Sequence, residues 1–129
     1  MIDGVVDLLA CPRCAGELSE RDGTLRCAAG HSHDLARQGY VNLLGGPEPG
    51  NADSVAMLQA RARVHAAGVF APVAGLVAGA VQGRSPVLEV GAGTAYYLTA
   101  ALGADRDAVG LALDVSKAAA RIAARADPR

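Results

Sequence analysis

The chain has 129 residues, with 12 basic and 13 acidic side chains and a formal net charge of −1. This charge balance excludes a strong overall basic field of the kind that draws proteins to nucleic acids, although local basic clusters remain open. Apolar residues make up 51% of the chain but aromatic ones only 3%, so its stability is expected to need a metal or further chain. No apolar stretch is long enough to span a membrane and the N-terminus lacks a basic leader, which predicts a soluble, cytoplasmic protein without membrane contact.

The first 44 residues contain every cysteine of the chain in the stretch "CPRCAGELSERDGTLRCAAGH". Cys11 and Cys14 stand two residues apart on a predicted tight turn, in which Gly16 is expected to allow the backbone reversal. Cys27 and His31 form a second pair after a hairpin whose tip is predicted at "RDG". Two such pairs are typical of a tetrahedral zinc site.

Two alternatives to this ligand set stay open at the level of sequence. His33 could replace His31 as the fourth ligand, but the spacing of His31 from Cys27 matches common zinc pairs better. The cysteines could also be buried thiols or a redox pair. Three thiolates and one imidazole leave no open coordination position, so we expect a structural Zn²⁺ without which residues 1–44 unfold.

The segment "GGPEPGNADS", residues 45–54, has the composition of a linker. A helix is predicted directly after it, with Asp53 or Ser54 as the N-cap and Gly68 as the C-terminal stop. A second helix is predicted to begin at Pro72.

The remaining sequence alternates strand and helix patterns. Strands are predicted at 87–90 and 108–115, and helices at 96–102 and 116–126. This order is that of the first half of a doubly wound α/β sheet. The breaker "ADPR" stands where a third strand is expected, so the chain is predicted to stop partway through the fold.

The turn after the first of these strands reads Glu-x-Gly-x-Gly, from Glu89 through Gly91 to Gly93, and Asp114 ends the next strand. Such a turn lets a cofactor approach the backbone, and the second acid can accept ribose hydroxyls. A dinucleotide site requires a third glycine where Tyr96 stands, whereas the cationic S-adenosylmethionine suits an acid at position 89. The alternative is a turn that merely connects strand and helix.

Aromatic residues near this turn have two interpretations. Tyr96 and Tyr97 are predicted to pack a helix and not to act in catalysis. Phe70, the single phenylalanine, either lines a cofactor pocket or packs in the core.

The segments "CPRC", "CAAGHSHDLARQGYVNLL", "DSVAMLQARARVHAAGVFAPV", "VLEVGAGTAYYL" and "LALDVSK" together resemble the 23S rRNA (guanine-N1)-methyltransferases, which include tylosin-resistance enzymes of actinobacteria. The most specific is "GYVNLL", directly after the cysteine cluster. The resemblance covers nearly the whole chain. It implies a zinc-binding module at 1–44, a linker at 45–54, and a helical lead-in with the first half of a Rossmann-like methyltransferase domain at 55–129.

The activity that the resemblance implies is transfer of a methyl group from S-adenosylmethionine to N1 of a guanine in a 23S rRNA hairpin. By position, it places zinc on Cys11, Cys14, Cys27 and His31, and the cofactor on Phe70, Gly93, Thr94 and Asp114, beside the Glu89 and Gly91 already singled out. The family usually has tyrosine at position 70, an aromatic at Val64 and an acid at Ala66, so cofactor affinity is in question. Candidate phosphate contacts in the zinc module are Arg13, Arg21, Arg26 and Arg37.

No residue of the chain is predicted as the catalytic base, because that group is expected on loops after later strands. Family members are roughly twice as long, so the chain alone is expected to be a truncated or inactive form. A non-catalytic zinc-containing rRNA-binding remnant is the alternative, and a nicotinamide-dependent enzyme is disfavoured by Tyr96. A homodimer and macrolide resistance are left open.

Overall fold

The computed structural model describes residues 2–103, 105 and 107–126. Two short 3-10 turns, Ile2–Gly4 and Val6–Leu8, precede the regular elements. In chain order these are β1 (Leu18–Arg21), β2 (Thr24–Cys27), β3 (Ser32–Asp34), α1 (Val55–Ala66), α2 (Ala71–Val81), β4 (Val87–Val90), α3 (Tyr96–Leu102), β5 (Gly110–Leu113) and α4 (Lys117–Ala126). The breaker predicted at 126–129 lies almost entirely outside the described residues.

The N-terminal sheet is antiparallel, in the order β1-β2-β3. Asp22 and Gly23 make the turn between β1 and β2 with φ of 51° and 75°, which matches the right-handed twist of a tight hairpin and confirms the predicted tip. The third strand, β3, was not predicted. The side chains of Leu18 in β1 and Leu25 in β2 are buried together with Cys11 and other apolar residues. The cysteine cluster is therefore part of this small core.

Helix α1 begins where the sequence predicts. Of the two candidate N-caps, Ser54 is the one that acts, because its Oγ accepts a hydrogen bond from the amide of Met57 at 3.3 Å. Gly68, with φ of 77°, follows the end of the helix, and Leu58 is its fully buried residue. In the described part of the chain no single helix is long and apolar enough to cross a membrane; α1 and α2 meet those criteria only as a pair bent by 87°.

The second half of the chain is a mixed α/β unit. Strands β4 and β5 are parallel, and α3 connects them. Leu98 and Leu102 of α3 pack with Ala123 of α4 in a core on one side of the two strands. Because the carboxyl ends of parallel strands meet at one edge of a sheet, Gly91 and Asp114 come together there.

The segment predicted as a linker is attached to this unit. Glu48 accepts a hydrogen bond from the amide of Lys117 at 3.1 Å, and the hydroxyl of the buried Ser116 donates to the carbonyl of Asp53 at 2.8 Å. Both contacts lie at the start of α4, and the one from Lys117 gives an acceptor to an amide of its first turn. They bring the beginning of α1 next to the carboxyl end of β5.

Candidate functional site

The first pair of cysteines lies on a tight loop between residues 11 and 16. The amide of Cys11 donates to the carbonyl of Gly16 at 2.8 Å, and the amide of Ala15 donates to the carbonyl of Cys11 at 2.7 Å. The reversal was predicted at Gly16, and this detail is wrong: Ala15 has the left-handed conformation, with φ of 56°. A Cβ at position 16 would lie 3.4 Å from the Sγ of Cys14, an ordinary van der Waals contact, so space does not require glycine there either.

The second pair lies on a matching loop after β2. The amide of Cys27 donates to the carbonyl of His31 at 3.1 Å, and the amide of Gly30 donates back to Cys27 at 3.0 Å. Gly30 has φ of 84°, which glycine adopts without strain. The loop therefore turns His31 towards the same point as Cys27.

The four predicted ligands converge in the structure. The Sγ atoms of the three cysteines and one imidazole nitrogen of His31 lie within 4.8 Å of one another. The Sγ atoms of Cys14 and Cys27 are 3.7 Å apart, and Nδ1 of His31 is 3.5 Å from the Sγ of both Cys11 and Cys27. Tetrahedral zinc would separate two thiolates by about 3.8 Å and a thiolate from an imidazole nitrogen by about 3.6 Å. The donor set thus fits structural zinc.

His33 has a different place. Its Nε2 is 3.7 Å from the Sγ of Cys11 alone, whereas His31 contacts two sulfurs. The hydrogen bond with His33 is the largest cause that lowers the pKa of Cys11 to about 5. A thiolate is the form that binds metal, and this hydrogen bond favours the thiolate of Cys11. His33 is therefore a hydrogen-bonding neighbour of the cluster.

The glycine turn after β4 uses most of its amides internally. The amides of Gly91 and Ala92 both donate to the carbonyl of Leu113, at 2.8 and 3.0 Å. The amide of Gly93 donates to the carboxylate of Asp114 at 2.8 Å. A pyrophosphate is normally held by free amides of such a turn, and here these three are occupied.

Two acids predicted at this turn are fixed by backbone contacts. Glu89 accepts a hydrogen bond from the amide of Leu98 at 3.0 Å, and burial raises the pKa of its carboxyl despite this bond. Asp114 accepts amides through both oxygens, from Gly93 and from Ser116. The structure therefore gives both acids a role in shaping the turn, and their contact with a cofactor stays a prediction.

Sequence reasoning named Asp53 only as an N-cap candidate and did not predict that this acid and Arg61 lie at the same turn. Arg61 of α1 forms an ion pair with Asp53 through Nη1, and this atom lies 3.1 Å from the position of a Cβ built on Gly93. The ion pair is the largest cause of a raised pKa of Arg61, and Asp114 contributes to it. No local pattern signals this contact, because Asp53 precedes the helix and Gly93 follows 32 residues after Arg61.

An aromatic cluster flanks the turn. His65 stacks on Tyr96 with ring centroids 4.0 Å apart, and Phe70 meets His65 edge-on at 5.8 Å. Tyr96 thus packs α3 against α1, as predicted. Nδ1 of His65 is buried and has no hydrogen-bond partner among the described residues, and burial, followed by the charge of Arg61, lowers the pKa of this histidine. Phe70 precedes α2 and remains 39% exposed, so both predictions for it stay open.

The segment after β3 and the glycine turn border one cleft. Residues 35–44 line it together with Gly91 and Asp114, and its volume is about 1380 Å³. Arg37, one of the predicted phosphate contacts, is exposed on this lining. The other three are also exposed on the first 44 residues: Arg13, Arg21 and Arg26.

The fold and site define a zinc ribbon followed by a mixed α/β unit with a glycine-rich turn. The family model described as RlmA, N-terminal, a zinc ribbon, matches residues 9–46. The chain is 46% identical over 135 residues to a 23S rRNA (guanine(748)-N(1))-methyltransferase of Streptomyces fradiae. It is 44% identical over 143 residues to a Micromonospora griseorubida protein named "Putative 23S rRNA (guanine-N(1)-)-methyltransferase", and 31% identical over 122 residues to a similarly named protein of Bacillus subtilis.

These alignments include 100%, 94% and 85% of the chain but only 48%, 48% and 43% of the respective relatives. The chain thus spans about half the length of the curated relatives that it matches. Its sequence matches the N-terminal portion of 23S rRNA (guanine-N1)-methyltransferases, as the sequence resemblance predicts.

Proposed function

We propose that these residues form the zinc module and the first half of the Rossmann-like cofactor domain of an S-adenosylmethionine-dependent methyltransferase that modifies N1 of a guanine in a 23S rRNA hairpin. The domain limits proposed from sequence are retained: zinc module at 1–44, linker at 45–54, lead-in and cofactor domain from 55. Because rRNA is the proposed substrate, the protein would work in the cytoplasm.

The observation that carries the choice of cofactor is the state of the glycine turn. The amides of Gly91, Ala92 and Gly93 are already bonded, so they are not free to hold a pyrophosphate. The carboxylates of Asp53, Glu89 and Asp114 outnumber the one guanidinium at this turn, that of Arg61, which favours a ligand with net positive charge. S-adenosylmethionine carries a sulfonium and an ammonium and has no phosphate, and the residues present fit it. The proposed contacts remain Phe70, Glu89, Gly91, Gly93, Thr94 and Asp114.

The proposed ligands of the structural zinc are Cys11, Cys14, Cys27 and His31. This site has no open position, so its role is to hold the ribbon and the arginines that it presents. Arg37 lines the cleft that also borders Gly91 and Asp114. A nucleic-acid backbone bound along the ribbon would therefore reach the cofactor turn.

The bound cofactor supplies an electrophilic methyl group, and N1 of guanine must lose its proton to accept it. The described residues position the cofactor turn and the ribbon. Neither Glu89 nor Asp114 is proposed as the base, since both carboxylates already accept hydrogen bonds from backbone amides. The alternative function is that of a non-catalytic zinc-containing protein that binds rRNA. It is favoured by Phe70, which lacks the hydroxyl of the family's tyrosine.

The test is methylation of a 23S rRNA fragment by the full-length protein with S-adenosylmethionine labelled in the methyl group. N1-methylguanine blocks base pairing, so primer extension would stop at one guanine. Label transfer with a single stop supports the proposal. Binding of the fragment without label transfer supports the non-catalytic alternative, and neither binding nor transfer contradicts both.

A further inference from the structure

Arg61 joins the lead-in helix to the glycine turn. Its Nη1 is paired with Asp53, a residue that precedes α1, and points at Gly93 in the turn. A side chain at position 93 would meet this guanidinium at 3.1 Å, tighter than an ordinary contact. Gly93 also has φ of 56°, which glycine adopts without strain, so the backbone of the turn lies next to the guanidinium.

Most of the guanidinium remains available. Arginine has five N–H donors in a planar fork, and among the described residues only Nη1 has a hydrogen-bond partner. The side chain is 44% exposed, while that of Asp53 is 21% exposed. The carboxylate of Asp53 therefore holds Nη1, and the other N–H donors of Arg61 have no protein partner among the described residues.

We propose that Arg61 binds the carboxylate of the methionine part of S-adenosylmethionine and that Asp53 is its positioning residue. This inference rests on the proposed function and adds a contact to it. The cofactor carries two positive charges and one carboxylate in its amino-acid portion. Glu89 and Asp114 beside the turn repel that carboxylate, whereas a guanidinium can bind it through two parallel hydrogen bonds.

The test compares two ligands that differ only in this carboxylate: S-adenosylmethionine and its decarboxylated form. Calorimetric titration of the wild-type chain is expected to show a preference for S-adenosylmethionine of about tenfold or more, the effect of a charge-assisted hydrogen bond. In Arg61→Ala this preference should be lost or reversed, because Glu89 and Asp114 still repel the carboxylate. Asp53→Asn should reduce the preference in part. Arg63→Ala, an exposed arginine on the same helix, is the matched control and should retain it.

The ratio of the two affinities separates binding from a structural role. If Arg61→Ala weakens both ligands equally, or keeps the wild-type preference, the proposed contact is wrong. If Arg61→Ala does not fold, Arg61→Lys, which keeps the charge but loses the fork, should fold and show a reduced preference; an unchanged preference there contradicts the inference. A wild-type chain that binds neither ligand overturns the proposed cofactor and this contact with it.

Discussion

Asp114 accepts the amide of Gly93 at 2.8 Å and thereby fastens the end of β5 to the turn after β4. Its other oxygen accepts the amide of Ser116, also at 2.8 Å, at the start of α4. One carboxylate thus connects the two loops at the carboxyl edge of the parallel strands. A cofactor that bonds to Asp114 meets a group already oriented by the fold.

Asp114→Ala should therefore destabilise the α/β unit. It leaves two backbone amides without their acceptor, which costs about 1–3 kcal/mol each when the amide stays buried and less when water replaces the carboxylate. Urea unfolding measures the loss. Asp114→Asn, which keeps one carbonyl oxygen, should lose less, and Asp7→Ala, at an exposed acid, should change little. Equal stability of all three variants would contradict the claim that the hydrogen bonds to Asp114 stabilise the α/β unit.

Removal of zinc should unfold the ribbon. Residues 1–44 bury only a small core, in which Cys11 and Cys27 themselves take part, and structural zinc contributes on the order of 10 kcal/mol to folding in small peptides. After chelation, amide signals of this segment should collapse to narrow dispersion in an NMR spectrum, and zinc should restore them. Unchanged dispersion without zinc would contradict the metal's structural role.

The two histidines should differ in their effect on zinc. His31→Ala removes an atom that lies 3.5 Å from two sulfurs, so the variant should lose stoichiometric zinc. His33→Ala removes a neighbour of Cys11 only and should retain one zinc with an affinity reduced by about 10–100-fold, as for outer-shell partners. Competition with a chromogenic chelator measures both. The reverse order of effects would make His33 the fourth ligand.

His65 should titrate below the usual range of histidine. Burial first, and then the charge of Arg61, lowers its pKa from the ordinary 6.5. The unfolded chain then binds more protons than the folded one between the lowered pKa and 6.5, so the stability contributed by neutral His65 is present above 6.5 and is lost as the pH falls through that window. An NMR titration of the ring protons measures the midpoint. Arg61→Ala should raise it, and a midpoint at or above 6.5 in the wild type would contradict this account.

Local signals in the sequence predicted much of this fold. The hairpin tip, the Ser54 cap and the helix at 96–102 depend on residues close in the chain, and the structure has them. The convergence of the two metal-binding pairs was also predictable, because the spacing within each pair reflects a recurrent loop.

What the sequence did not predict depends on distant contacts. Strand β3 has three residues and no alternating pattern, and it forms because β2 offers an edge next to the second metal-binding loop. The left-handed conformations of Ala15 and Ala95 occur at residues that rarely adopt them. The contact between Arg61 and the turn joins two segments that are far apart in the sequence and share no pattern. It could therefore be found only in the folded structure.

The measurement that tests this account most directly is calorimetric titration of S-adenosylmethionine into the zinc-loaded chain, with NAD titrated in parallel and zinc content determined on the same sample. We predict one zinc per chain, micromolar binding of S-adenosylmethionine and no binding of NAD, because the amides of the glycine turn are occupied and acids surround it. Binding of NAD in place of S-adenosylmethionine, or zinc-loaded protein that binds neither, would contradict the proposed cofactor site.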